Sequence, residues 1–212
     1  MNNKVLGAAL SIMLTAGTLI NANAQKVYKE GYFSFDTELR GNPASVKSYF
    51  TPDSSASVIT FGPGTVKMLS DAKRDYFAVI LDIPVAGLKK AGIATASEIE
   101  QAFAGLPSFT FTPTAETKVI SGFNCKKVVA KEAKSGKTYD VWITNDITVP
   151  QSAIAPYYAA AGGFPIQYTS FQQGQELNIT IKSVTEGKAP AGTFAIAPDF
   201  EKVSLEDLNS GQ

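Results

Sequence analysis

The 212-residue chain carries 19 basic and 19 acidic residues, one cysteine and no histidine. Balanced charge with no basic stripe excludes a nucleic-acid surface or a polybasic lipid patch, and without an imidazole neither a Ser-His-Asp triad nor a Cys-His pair can form. The lone Cys125 excludes an internal disulfide, and carboxylate chemistry or an oxygen-ligated calcium site are the catalytic and metal options left.

The first segment reads as a secretory signal peptide. Lys4 supplies the positive start, Val5–Ile20 the short apolar run, and Ala22-Asn23-Ala24 the small-residue cleavage site. Gly7, Ser11, Thr15, Gly17 and Thr18 dilute the run below what a spanning helix needs. Cleavage after Ala24 leaves Gln25 first, so no lipid-bearing cysteine follows the cut. It also removes Lys4, taking the 19 basic residues to 18 against 19 acidic ones, a net charge of −1. The expectation is a periplasmic or secreted protein, soluble after cleavage, with no transmembrane segment and one β-rich domain over residues 25–212.

Beyond the signal segment, period-two alternation dominates. Phe33–Arg40 alternates apolar and polar residues, as a strand with one wet face does. Ser57–Phe61 and Val66–Ser70 follow, with Gly62-Pro63-Gly64 as the turn between them. Tyr76–Ile83 is apolar on both faces, which predicts a strand covered on both sides or lining a cavity on one. Pro84–Gly92 is expected to hold a helical turn. Glu98–Leu106 is the best helix: Ser97 and Glu100 have capping-box spacing, Ile99, Ala102, Phe103 and Leu106 form one apolar stripe, and Pro107 stops it. Strands are then predicted at Phe109–Thr112, Lys118–Ile120, Phe123–Glu132 and Lys137–Thr144, the last two joined by a Lys134-Ser135-Gly136-Lys137 hairpin. Ala153–Ala161 reads as a helical turn or loop, with Tyr157-Tyr158 beside Gly162-Gly163 as a flap or an ordinary surface loop. Phe164–Phe171 and Leu177–Lys182 are strands, Phe194–Ala197 a short last strand, and Ser204–Leu208 a terminal turn. The fold class is therefore mainly β: one large curved antiparallel sheet of about ten strands, open as a half-barrel, with one or two short helices on its concave side.

Phe77, Val79, Leu81, Phe103, Trp142, Phe164 and Tyr168 are the candidate lining of an apolar pocket, against the alternative that they are simply core. Asp71 with Asp75, and Asp140 with Asp146, could pair for acid–base work, but their spacing fits a solvated face. Cys125 reads as a buried core residue, because nothing is available to activate its thiol. No catalytic residue, metal ligand or cofactor is assigned.

Thr117–Lys127, with Val141-Trp142-Ile143-Thr144, Gly163–Tyr168 and Phe194–Phe200, resembles exported Bacteroidota proteins carrying an uncharacterised domain: a TKxIxGxxCKK strand pair, a WxT strand, a G[FL]P turn and a closing strand ending in proline. The order is also similar to GLPGLI-type exported proteins, without the full GLPGLI string. At fold level, the antiparallel pattern with internal helices resembles the half-barrel of LolA- and LolB-type lipoprotein carriers, and that resemblance implies a concave face that holds acyl chains. The leading expectation is a non-enzymatic binder of a lipid or other hydrophobic ligand inside a curved sheet. The alternatives are a solid-core interaction module of the cell envelope and a carboxylate-only hydrolase.

Overall fold

The computed structural model describes residues 25–39, 41–172 and 174–210; the predicted signal segment, Met1–Ala24, lies outside the described residues. The chain is mainly β, with large open antiparallel sheets and two short α-helices. β1 (Lys26–Val27) pairs in parallel with β11 (Ile147–Thr148). β2 (Gly31–Leu39), β3 (Asn42–Phe50), β4 (Ser54–Phe61), β5 (Gly64–Asp71), β6 (Phe77–Ile83) and β7 (Leu88–Ile93) form an antiparallel meander. β14 (Ser183–Glu186) extends that sheet beside β2, and β15 (Glu201–Ser204) extends it in parallel beside β7, giving eight strands. The second sheet has the order β13 (Gln175–Thr180), β12 (Phe164–Gln172), β10 (Thr138–Thr144), β9 (Phe123–Glu132) and β8 (Phe109–Ile120).

The single sheet of about ten strands expected from the pattern is thus divided in two, in keeping with the tendency of large twisted sheets to split or curl. The two sheets are linked where β13 ends: the Ile181 N–H donates to Ile166 O in one sheet, and the next residue's N–H, on Lys182, donates to Ser34 O in the other. Between them, Phe33 and Phe50 of the first sheet pack against Cys125, Phe164, Ile166, Ile179 and Ile181 of the second and its exit. The Phe33 and Phe164 rings meet edge to face with centroids 5.7 Å apart, a favoured aromatic geometry.

Two predicted strands, Phe109–Thr112 and Lys118–Ile120, are one strand, β8, with an irregularity between Pro113 and Thr117. Pro113 has no N–H for a ladder and so sits at an edge, as strand prolines do. The predicted last strand, Phe194–Ala197, is not a strand. Its Phe194 and Ile196, with Phe200, cover Ala56, Leu69, Ala78, Ile80 and Ala91 on one face of the eight-stranded sheet. The Lys67 ammonium fixes that segment by donating to Gly192 O at 3.2 Å and Ala195 O at 2.8 Å.

The predicted helix appears as α1 (Ala96–Ala104), two residues early. Its cap is Thr95, not Ser97: the Thr95 hydroxyl accepts from the Glu98 N–H at 3.3 Å, and the Glu98 carboxylate accepts from the Thr95 N–H at 2.6 Å. The Thr95 N–H, together with the Thr95 hydroxyl donating to Glu98 Oε2 at 2.8 Å, holds the Glu98 carboxyl below its ordinary pKa, helped by a backbone hydrogen bond from Glu206. Glu206 lies in α2 (Leu205–Ser210), so the two helices meet at their first turns. Pro84–Gly92 holds only a 3-10 turn, Pro84–Ala86, before β7 begins. The Ala153–Ala161 stretch holds the end of one short 3-10 turn and the whole of another, Gln151–Ala153 and Pro156–Tyr158.

Candidate functional site

Residues directly opposite in an antiparallel ladder share a face, so the register of β2–β7 sorts their side chains into rows. Phe33, Ser48, Ser57, Met68, Val79 and Gly92 form one row, on the face that meets the five-stranded sheet. Call this the inner face. The next row is Phe35, Val46, Ile59, Val66, Leu81 and Lys90, and the one beyond it Thr37, Ala44, Phe61, Gly64, Ile83 and Leu88. The outer face holds the alternate residues, among them Asp36, Lys47, Lys67, Asp82 and Lys89. In these three rows Lys90 is the one ionisable side chain.

The inner face is covered unevenly. At the end that carries the β3–β4 and β5–β6 turns, the five-stranded sheet packs on Phe33 and Phe50, and Ser152 donates to Thr51 O. At the β7 side of that end sits α2, seated on Gly92: a Cβ there would lie 2.8 Å from Leu208 Cδ2 and 3.2 Å from Leu205 Cα. α1 joins it, with the Arg74 guanidinium of the β5–β6 turn 5.1 Å from the centre of the Phe103 ring.

The other end differs. Ala44, Val46 and Ile59 form a buried cluster joined by the partly exposed Phe35, Phe61, Val66 and Met68. Every one of these seven lies on β2–β5, and Phe35 also packs against the core shared with the second sheet. The cluster continues into an open cleft of about 440 Å³ lined by Pro43, Phe61, Pro63, Ile83 and Val85 with two glycines of the β4–β5 turn. Gly64 lets the Phe61 ring lie flat across that hairpin, since a Cβ there would stand 3.0 Å from ring atoms Cε2 and Cζ. At the rim Val85 is 79 % exposed.

The predicted lining residues fall into separate places. Phe77, Val79 and Leu81 share the inner face of β6, and Leu81 belongs to the apolar row that leads to the cleft. The opposite face of β6, Ala78 and Ile80, is covered by Phe194 and its neighbours, which accounts for the two-sided apolarity of Tyr76–Ile83. Phe164 lies in the core between the sheets, with Trp142 and Tyr168 packed against that core. The Lys118 ammonium stands 4.0 Å over the Trp142 ring and donates to Gln167 Oε1 at 2.8 Å. Phe103 is on α1. None of the seven lines the 440 Å³ cleft, nor a second, polar cleft of about 350 Å³ between Thr117–Val119, Asn124–Lys126 and Asn145-Asp146.

The signal for the cleft was present in the sequence as the turn Gly62-Pro63-Gly64 and the exposed valine of Pro84-Val85-Ala86, but only the strand register brings the two together. Tyr157-Tyr158 is not a flap. Tyr158 is fully buried, stacked on Phe109 at 5.6 Å, and its hydroxyl donates to Thr169 O at 2.7 Å. The Tyr157 hydroxyl accepts from the Phe171 N–H at 3.2 Å. Burial pushes the Tyr158 and Tyr168 hydroxyls above their ordinary pKa of 10.0.

The candidate acids have structural partners. Asp71 accepts from the N–H groups of Asp75 and Tyr76 at 2.9 and 3.0 Å, closing the β5–β6 turn. Asp140 pairs with Lys127 at 3.0 Å, and Asp146 accepts from the Asn124 N–H at 2.7 Å. Cys125 is buried, and burial raises its thiol above the ordinary value. Among the described residues no group of three or more acidic or cysteine side chains is placed to hold a metal ion, and no helix is long and apolar enough to cross a membrane.

No family model matches the chain, and no curated protein matches it. Among solved structures it is similar to PNGF-II in a C2 crystal form, with a TM-score of 0.46 and 15 % identity over 85 % of this chain and 32 % of that one. It is likewise similar to PNGF-II in a P21 form, with a TM-score of 0.49 and 14 % identity over 87 % and 33 %. The chain thus spans about a third of the length of PNGF-II.

Proposed function

We propose that this protein is an exported, non-enzymatic carrier that binds the acyl part of a lipid on the inner face of its eight-stranded sheet, entering through the Phe61–Ile83–Val85 cleft. One observation carries the reading: among the described residues the cluster around Val46 and Ile59 is built from β2–β5, and its Phe61 opens onto an apolar cleft. At the rim of that cleft apolar surface stands in water, with Val85 79 % exposed, a standing cost of about 25 cal/mol per Å2 that a bound hydrocarbon chain removes. The space between the two sheets, by contrast, is filled by Phe33, Phe50, Phe164 and Ile166, so the ligand belongs beside that core and not within it. The resemblance to half-barrel lipoprotein carriers agrees with a sheet face as the acyl surface.

The test is native mass spectrometry of the purified protein, with extraction of whatever it carries and titration with a fluorescent long-chain acyl probe. The expected result is stoichiometric binding that Val66→Asp abolishes while the circular dichroism spectrum stays that of the parent. A folded protein that carries nothing and fails to bind the probe overturns the reading, and the filled core then favours an interaction module.

A further inference from the structure

β8, with 12 residues, is the longest of the described strands, and it is also a border. It ends the five-stranded order: β9 pairs with one side of it, and among the described residues no strand pairs with the other. Residues 115–119 are exposed in one unbroken run, with Val119 at 68 %. Both borders of the eight-stranded sheet, by contrast, are strands of four residues, and short strands are one way to blunt an edge.

The hairpin fixes where the free backbone groups of β8 point. Ser121 and Gly122 make a two-residue turn between β8 and β9, both at positive φ, 51° and 83°. In such a turn the flanking pair, Ile120 and Phe123, exchange both backbone hydrogen bonds, and every second pair behind it exchanges none. Val119 stands opposite Asn124, and Thr117 opposite Lys126. The Asn124 N–H donates to Asp146 at 2.7 Å and its carbonyl accepts from the Thr144 hydroxyl at 3.0 Å, so neither group turns to Val119. The N–H and C=O of Val119 and Thr117 therefore point outward.

Charge selects what can lie against them. Glu116 and Lys118 flank Thr117. When two β8 strands run antiparallel about Thr117, each Glu116 stands opposite Lys118 of the other copy, and the outward groups of the two Thr117 residues meet as a hydrogen-bonded pair. Centring on Glu116 or on Lys118 sets like charges opposite. Centring on Ala115 brings Pro113, which has no N–H, into the ladder. About Thr117, Pro113 falls opposite Ser121, beyond the ladder, and the exposed Val119 lies beside Ala115. We infer that β8 is an interaction edge and that its partner is β8 of a second copy of this chain, paired antiparallel about Thr117. Within one chain Glu116 accepts from Lys127 at 2.9 Å and Lys118 donates to Gln167 at 2.8 Å. Both side chains are exposed, so turning them to the second copy costs little. The inference stands apart from the acyl-binding reading.

The test is sedimentation equilibrium of the purified protein over a concentration series, with amide hydrogen exchange at low and high concentration. One strand edge is a small contact, so a monomer–dimer equilibrium with a dissociation constant of about 0.1 mM is expected. Protection should rise with concentration at Thr117 and Val119, while Lys118 is protected throughout. E116K and K118E each set like charges opposite at two places and should weaken the dimer about tenfold, whereas the double reversal E116K/K118E should return to within about twofold of the parent. T117P removes the central N–H on the side where an edge strand tolerates proline, and should be monomeric. A monomer up to about 1 mM, a dimer indifferent to the single reversals, or single reversals that the double fails to rescue overturns the inference. Thermal unfolding of each variant reports that it folds, and the charge-reversal series decides the matter if T117P does not fold.

Discussion

Phe50 and Phe61 offer a comparison within one residue type on one sheet face. Phe50 is 1 % exposed and sits under the five-stranded sheet. Phe61 belongs to the cluster that β2–β5 build alone. Truncating Phe50 to alanine removes a buried ring and leaves a cavity between two packed layers, a change that costs about 3–5 kcal/mol. Truncating Phe61 opens no enclosed cavity, because Phe61 is only partly buried and lines an open cleft. Its cost is the transfer part alone, which for a fully buried ring is about 1.5–3 kcal/mol and for a partly exposed one ~1–2 kcal/mol. For a chain of this size, where 1 kcal/mol moves the melting temperature by about 2–4 °C, Phe50→Ala should melt roughly 6–20 °C lower and Phe61→Ala roughly 2–8 °C lower. Differential scanning calorimetry reads both. Palmitate at ~100 times its dissociation constant should then add about 2.7 kcal/mol to the parent and to any Phe50→Ala that folds, but little to Phe61→Ala. Equal losses for the two truncations would refute the reasoning, because they would mean that Phe61 is covered in solution as deeply as Phe50.

Two further outcomes follow from the packing. The raised Tyr158 and Tyr168 hydroxyls stay protonated where exposed tyrosines ionise. A folded-state pKa raised above its unfolded value lends stability that is full below about pH 10 and drains away above it. Absorbance titration should therefore show a late tyrosinate fraction that appears with unfolding, and a titration in which all eight tyrosines ionise together in the folded protein contradicts the assignment. Gly92→Ala places a Cβ within 3 Å of the Leu208 side chain, an overpacking that costs about 1–3 kcal/mol. Hydrogen exchange should show α2 losing protection while the five-stranded sheet keeps its own, and unchanged protection over 205–210 would argue that α2 is not seated on Gly92.

Much of the architecture was legible because period-two patterning is set by the pleat itself. β4, β5, β9, β10, β12 and β13 all appear where alternation or a turn signal put them. The two-sided apolarity of Tyr76–Ile83 marked a strand covered on both sides or lining a cavity on one, and Phe194 and Ile196 cover one of its faces. What alternation does not carry is partnership. Nothing local in Ser183–Glu186 says that it pairs with β2, and nothing in Phe194–Phe200 says that its apolar residues cover a sheet instead of extending one. The helix start was misplaced because Ser97 and Thr95 both offer a hydroxyl three residues before a glutamate; Thr95 wins, and its Glu98 also meets Glu206 of α2. The candidate site suffered most. Leu81 was named because its strand is conspicuous, whereas Val46, Ile59 and Val66 lie on modest strands and fall into one row only when the registers are set in line.

The passage of the chain from β13 into β14 has a consequence for the order in which the molecule can be completed. The meander β2–β7 is local and needs only its own turns, yet both of its borders wait for residues from the far end of the chain: β2 for Ser183–Glu186 and β7 for Glu201–Ser204. A chain emerging amino-terminus first therefore carries two unpaired borders, and an apolar inner face, until Ser183–Glu186 and Glu201–Ser204 have been made. Such borders invite pairing with other chains. Native closure arrives as a single late event tied to long-range contacts, which makes it slow. Deleting Glu201–Ser204 should therefore cost far more than the few contacts those residues make, because it leaves the β7 border unpaired.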